Sequence, residues 1–176
     1  MIFTELPLPG AFVVDIQPMT DERGFFARGW CRKEFETHSL ASDFVQRNIG
    51  FSQRKGTLRG MHYQVSPHAE IKLVRCTRGA VCDVIVDLRE KSRTFRKWHA
   101  VELSADNHRM IYVPEGFAHG YLTVMDESEI YYDTTCFFAP ESARGVRFDD
   151  PAFGIDWPAP PSLLSDKDRS YPDFSL

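Results

Sequence analysis

A chain of 176 residues with 43% hydrophobic and 26% charged content is long enough to bury one core, and residues 1–176 read as a single globular domain. The formal net charge of -4 gives no reason to expect a nucleic-acid partner and leaves open a local basic pocket for an anionic ligand. The N-terminal MIFTELPLPGAFVVDIQPM lacks a basic stretch followed by a long apolar one, and no apolar run approaches the roughly 20 residues of a membrane span, so neither a signal peptide nor a membrane contact is expected.

In chain order, CRKEFETHSLASDF (31–44) is the best helix candidate in a sequence otherwise poor in helical periodicity. GTLRGMHYQ (56–64) is a β-like run that carries Arg59 and His62 three apart between glycines and a glutamine. EIKLVRC, GAVCDVIVDL, KWHAVEL, RMIYVP, GYLTV and EIYYDTTCFF then recur at roughly ten-residue intervals, with turn residues between many of them. That rhythm predicts an all-β fold, an antiparallel sandwich or barrel. Alternation is clearest from Val81 to Leu88: Cys82, Val84, Val86 and Leu88 share one face, and Asp83 and Asp87 share the other with Val81 and Ile85. Short turns are expected after SPH and near PSLLSDKD, and the Pro- and Asp-rich C-terminal stretch from Asp149 reads as an irregular tail wrapped on the body. The four cysteines, Cys31, Cys76, Cys82 and Cys136, show no CxxC spacing. They read as free thiols in a reducing compartment, for which the cytoplasm fits.

Ionisable residues inside apolar strands are the unusual feature. Lys72 lies between Ile71 and Leu73-Val74, and burying an ammonium group is costly unless it is paired or lines a polar cavity. VPEGFAHGYL (113–122) places His119 just after a Pro114–Gly116 turn. The spacing P-x-G-x-x-H resembles the second motif of the cupins, small β-barrels whose mouths hold ligands or metals. Their first motif offers His-x-His and later a Glu, whereas here the place reads His62-Tyr63-Gln64 with His68 and Glu70 beyond. A three-histidine metal site would lack an imidazole, so metal binding is disfavoured. Arg59, His62, Lys72 and His119 then look like donors and bases for an anionic, oxygen-rich ligand. Tyr131 and Tyr132 fall on opposite faces of a strand, and one of them must face the interior, where a phenol can hydrogen-bond or donate a proton.

DERGFFAR, FSQRKGTLRGMHYQ, KLVRCTRGAVCDVIVDLR, ELSADNHRMIYVPEGFAHGYL, FFAPESARGVRFDDPAFGIDWP and LLSDKD occur in that order. From about Pro9 to Asp168 the chain resembles the deoxysugar-nucleotide 3,5-epimerases, the dTDP-4-dehydrorhamnose 3,5-epimerase family. The resemblance implies a cupin-type jelly-roll barrel with a few short helices, usually a homodimer, that needs no metal or organic cofactor and acts on a nucleotide-diphosphate-linked 4-keto-6-deoxyhexose. A 4-keto group acidifies the protons on C3 and C5, because removing either gives an enolate. A base on one face and an acid on the other then invert the centre, and the developing oxyanion needs a fixed positive charge or donor.

Carried onto this chain, the resemblance makes His62 the base, Asp168 the partner that fixes and stabilises its imidazole, Lys72 the stabiliser of the enolate oxygen and Tyr132 the opposing acid. Arg23, Arg59, His119, Gln46 and Asn48 would hold the sugar or the nucleoside diphosphate, where the arginine fork suits phosphate oxygens. Two positions depart from the family pattern. Members commonly read DERGFFxE where this chain has Arg28, which leaves a CDP- or GDP-sugar open. They commonly follow the acid with Lys, where this chain has Asp133. Some relatives epimerise C3 only. Two readings stand beside the epimerase: a metal-dependent cupin oxygenase, which metal analysis discriminates, and a catalytically silent sugar-nucleotide binding module, which had no need to keep His62, Asp168, Lys72 and Tyr132 together.

Overall fold

The computed structural model describes residues 1–175. The chain forms β1 (Ile2–Glu5), β2 (Phe12–Asp15), an exposed hairpin of β3 (Met19–Asp21) and β4 (Gly24–Phe26), helix α1 (Arg32–Thr37), then β5 (Gln46–Ser52), β6 (Leu58–Gln64), β7 (Lys72–Arg78) and β8 (Ala80–Asp87). It continues through β9 (Trp98–Ser104), β10 (Met110–Val113), β11 (Phe117–Thr123), β12 (Ser128–Thr134), β13 (Ala143–Gly145) and helix α2 (Asp166–Arg169). One sheet runs β1-β2-β10-β7-β12-β5 and the other β13-β6-β11-β8-β9, with antiparallel pairing throughout. This is the two-sheet jelly roll expected, and the six strand signals read from the sequence all fall on its strands.

The two sheets bury a shared core: Val74, Cys76, Ile111 and Ile130 from the first meet Val81, Ile85, Leu103 and Tyr121 from the second. Alternation along β8 holds. Val81 and Ile85 enter that core, while Cys82, Val84 and Val86 pack outward with Met61, Ala118, Val146 and Phe153. The outward face is buried because the irregular C-terminal segment covers it with Ile155, Trp157 and Phe174, each buried valine contributing about 1.5–3 kcal/mol. Asp87, on the inner face, is bonded by Arg89, Ser92 and Thr94. Burial raises its pKa, and these hydrogen bonds outweigh the burial and hold it at about 2.

The helix expected over 31–44 is cut short at Thr37. Phe35, Leu40 and Phe44 are five and four residues apart, too loose for one helical stripe. The chain instead turns at Ser39, whose φ is 58°, and the Leu40 amide returns to the Phe35 carbonyl at 2.9 Å. Leu40 and Phe35 thereby enter one cluster. The turn expected near PSLLSDKD is realised as α2, capped by the Ser165 hydroxyl, which accepts from the Asp168 amide at 3.1 Å.

Two glycines bring the histidine strands together. A Cβ at Gly120 would lie 2.7 Å from Met61 Sδ and 2.8 Å from the Arg59 carbonyl, and Gly60, at φ 133°, faces it across the gap. Only residues without side chains allow this approach. The register of β6 against β11 shifts at these glycines, between His119 and Tyr121, with His62 directly opposite His119.

Candidate active site

Between the sheets lies a cleft of two joined lobes, about 580 Å³ and about 310 Å³, both lined by His62, Lys72, Tyr132 and Lys167. Arg59, His119, Tyr121 and Asp168 line the larger lobe, and Gln46, Asn48, Glu70, Phe138 and Arg144 the smaller. Openings of this size, polar at a few points, suit a small-molecule ligand.

His62 stands on β6 with its Nε2 2.6 Å from Asp168 Oδ1. Asp168 reaches it from α2, far along the chain, and is itself buried. Its other oxygen accepts from the Gly60 amide at 3.4 Å. Burial raises the Asp168 pKa, but His62, the Gly60 amide and Ser165 outweigh it and hold the carboxyl below its usual value. An ionised carboxylate at Nε2 fixes the proton there and leaves Nδ1 free to accept one.

On the neighbouring strand His119 makes a second such pair, its Nε2 2.8 Å from Asp83 Oδ2. Asp83 is fully buried, and desolvation raises its pKa against the opposing pull of His119 and Lys72. Lys72, on the opposite sheet, is buried, and Glu70 compensates it at 3.0 Å. Its Nζ also donates to the His62 carbonyl at 3.4 Å. The ammonium group thus spans the two sheets beside His62.

Strand parity settles the tyrosine pair. Tyr132 packs against the inner core and lines both lobes, and Tyr131 turns outward under the Arg47 guanidinium. Burial, then the nearby Glu70 carboxylate, pushes the Tyr132 phenol up, so it holds its proton at neutral pH. Alternation on β5 sends Gln46 and Asn48 into the smaller lobe, joined by a 3.2 Å hydrogen bond. Arg59 is anchored by Ser52 Oγ at 3.2 Å and the Phe51 carbonyl at 2.9 Å.

Arg23 behaves differently. It sits on the β3–β4 turn with its side chain 84% exposed, paired to Asp21 at 2.5 Å, and lines neither lobe. The two departures from the family pattern also lie outside the cleft: Arg28 pairs with Glu34 at 2.8 Å, and Asp133 turns outward to Arg47 at 2.5 Å. Sequence reasoning missed Asp83 and Glu70 as partners of His119 and Lys72, and Tyr121, Arg144 and Lys167 as lining residues. Asp83 was visible as an acid alternating with Val81 and Ile85 on a strand, and Lys167 is the neighbour of Asp168 in LSDKD. Nothing local marks Arg144.

The fold and this cleft belong with the sugar-nucleotide isomerases built on a cupin-type jelly roll. A family model described as dTDP-4-dehydrorhamnose 3,5-epimerase matches residues 5–175, and the chain belongs to that family. It is 45% identical over 162 residues to the dTDP-4-dehydrorhamnose 3,5-epimerase of Shigella flexneri, covering 92% of this chain and 89% of that protein. The crystal structure of dTDP-4-dehydrorhamnose 3,5-epimerase from Elizabethkingia anophelis superposes with a TM-score of 0.95 at 41% identity, over 99% of this chain and 96% of that one. A Legionella pneumophila dTDP-6-deoxy-D-glucose-3,5-epimerase in complex with dTDP-4-keto-L-rhamnose gives 0.89 at 37% identity, over 96% and 90% of the two chains. Membership in this family makes the protein an isomerase and sets aside the oxygenase and the silent binding module.

Proposed function

We propose that the protein inverts C3 and C5 of dTDP-4-dehydro-6-deoxyglucose, giving dTDP-4-dehydrorhamnose, through enolates formed and quenched between the two sheets. The observation that carries the reading is the placement of His62, paired to Asp168 of α2, on one sheet and Tyr132 on the other, lining the same cleft. His62 takes the proton from carbon, Asp168 stabilises the imidazolium, and Tyr132 returns a proton from the far side. The enolate oxygen lies towards Lys72, and His119, held by Asp83, lines the cleft as a further polar contact. Arg59, Lys167 and Arg144 supply positive charge for the diphosphate along the two lobes, and Gln46 and Asn48 offer amide groups for the nucleoside end.

Proton NMR in D₂O tests this, with the dTDP-, CDP- and GDP-linked 4-keto-6-deoxyhexoses in separate tubes. Loss of both the C3 and C5 signals in the dTDP tube is expected. Loss at C3 alone would make the enzyme a 3-epimerase, exchange only with CDP or GDP would overturn the nucleotide, and no exchange in any tube would overturn the reading.

The working unit we propose is a homodimer. The β3–β4 hairpin exposes Met19, Phe25 and Phe26, an apolar surface that a second copy would cover. Arg23 rides on the same hairpin outside its own cleft, so a substrate-binding role for it requires delivery to the partner's cleft. Sedimentation of the protein is expected to give twice the chain mass, and a monomer at working concentration would refute it. Free thiols at all four cysteines fit a reducing compartment and so the cytoplasm, and recovery from an oxidising fraction would count against that.

A further inference from the structure

We infer that Tyr171 is a positioning residue for His62, standing in for the side chain that Gly145 lacks. The inference rests on the assignment of His62 as the base. Gly145 pairs directly with His62 across β13 and β6, so a side chain at position 145 would project on the same face as the imidazole and beside it. The space is taken instead by the Tyr171 ring: a Cβ on Gly145 would lie 2.1 Å from its Cζ and 2.3 Å from its Cε2. That ring meets the imidazole edge to face, at 6.3 Å between centroids and 68° between planes.

His62 needs such a neighbour. Its side chain is 42% exposed, and the hydrogen bond to Asp168 restrains one ring atom only. A ring held at one nitrogen can still swing about that bond, and a base displaced by an ångström loses much of its rate. Tyr171 lines neither lobe of the cleft, so it acts through the imidazole and does not touch substrate.

The segment that carries Tyr171 is tied on both sides. Before it, Asp168 is bonded to His62 and capped by Ser165. After it, Asp173 pairs with Arg147 at 2.7 Å, the Phe174 amide donates to the buried Asp150 carboxylate at 2.6 Å, and the Phe174 ring packs 5.1 Å from Phe153. The Tyr171 hydroxyl is buried and meets no hydrogen-bond partner among the described residues. Its ring is therefore the working part.

The test compares Tyr171→Phe, Tyr171→Ala and Gly145→Ala with the parent, reading kcat, KM and the imidazole Nε2–H proton resonance of His62. Tyr171→Phe should keep the parent kcat. Tyr171→Ala should lower kcat about tenfold or more with KM within about twofold, and broaden the resonance as the Asp168 hydrogen bond opens to water. Gly145→Ala, which displaces the ring without truncating it, should give the same split, and the double variant should be no worse than the poorer single one. Parent kcat in Tyr171→Ala would overturn the inference. So would equal losses in the Phe and Ala variants, or a loss that vanishes when the assay temperature is lowered below the variant's melting transition. His62→Ala run alongside separates the two claims: turnover retained there refutes the base, whereas its loss beside a fully active Tyr171→Ala refutes only the positioning role.

Discussion

Replacing His62 by Ala is expected to lower turnover by about a hundredfold to ten-thousandfold, the range a positioned proton-transfer group contributes. Substrate affinity should change little, because Arg59, Lys167 and Arg144 still line the cleft. The C3 and C5 protons should both stop exchanging with D₂O, since the proposed mechanism assigns both deprotonations to this imidazole. The variant leaves the buried Asp168 carboxylate without its main partner. A melting curve should therefore accompany the kinetics, and a loss of about 1–3 kcal/mol of stability is expected. Turnover within tenfold of the parent in folded protein would remove His62 from the role of base.

Tyr132→Phe separates the two halves of the reaction. His62 is intact in this variant, so in the proposed mechanism the enolate still forms, but the phenol proton on the opposite sheet is gone. The expected result is deuterium wash-in at C3 or C5 with the original configuration kept, together with inverted product reduced by about a hundredfold. Burial holds the phenol's pKa above its usual value, so across the neutral range it is a proton carrier and not a phenolate. Parent levels of inverted product would leave Tyr132 a packing residue. Loss of exchange and product together would place it in the deprotonation step instead.

How far the sequence spoke for itself differs from residue to residue. Lys72, His62 and His119 stood out as ionisable residues in or beside β-like runs, each alone also compatible with a bland place, and all three line the cleft. Strand rhythm and the two faces of β8 were legible because period-2 burial leaves a pattern. The parity of Tyr131 and Tyr132 was not, because both residues suit either face of a sheet. It is settled by the register of β12, which sets Tyr132 opposite Val74 and Asn48. The pairing of Asp168 with His62 spans 106 positions, and no local spacing encodes such a contact, so only the family resemblance pointed to it. The helix expected over 31–44 forms only as Arg32–Thr37, because a left-handed turn at Ser39, which no residue type there announces, folds Leu40 back on Phe35.

The distance along the chain between His62 and Asp168 makes catalytic competence a property of the C-terminal segment's docking as well as of the barrel. A molecule whose segment from Ser165 to Phe174 has detached keeps both sheets, Lys72, Tyr132 and Arg59, and so keeps much of its capacity to hold a nucleotide sugar. It lacks the carboxylate paired with His62 and the ring beside it. Such local opening costs less than global unfolding. Binding and turnover should accordingly part company on warming, with silent but ligand-retaining molecules accumulating before the sheets themselves give way.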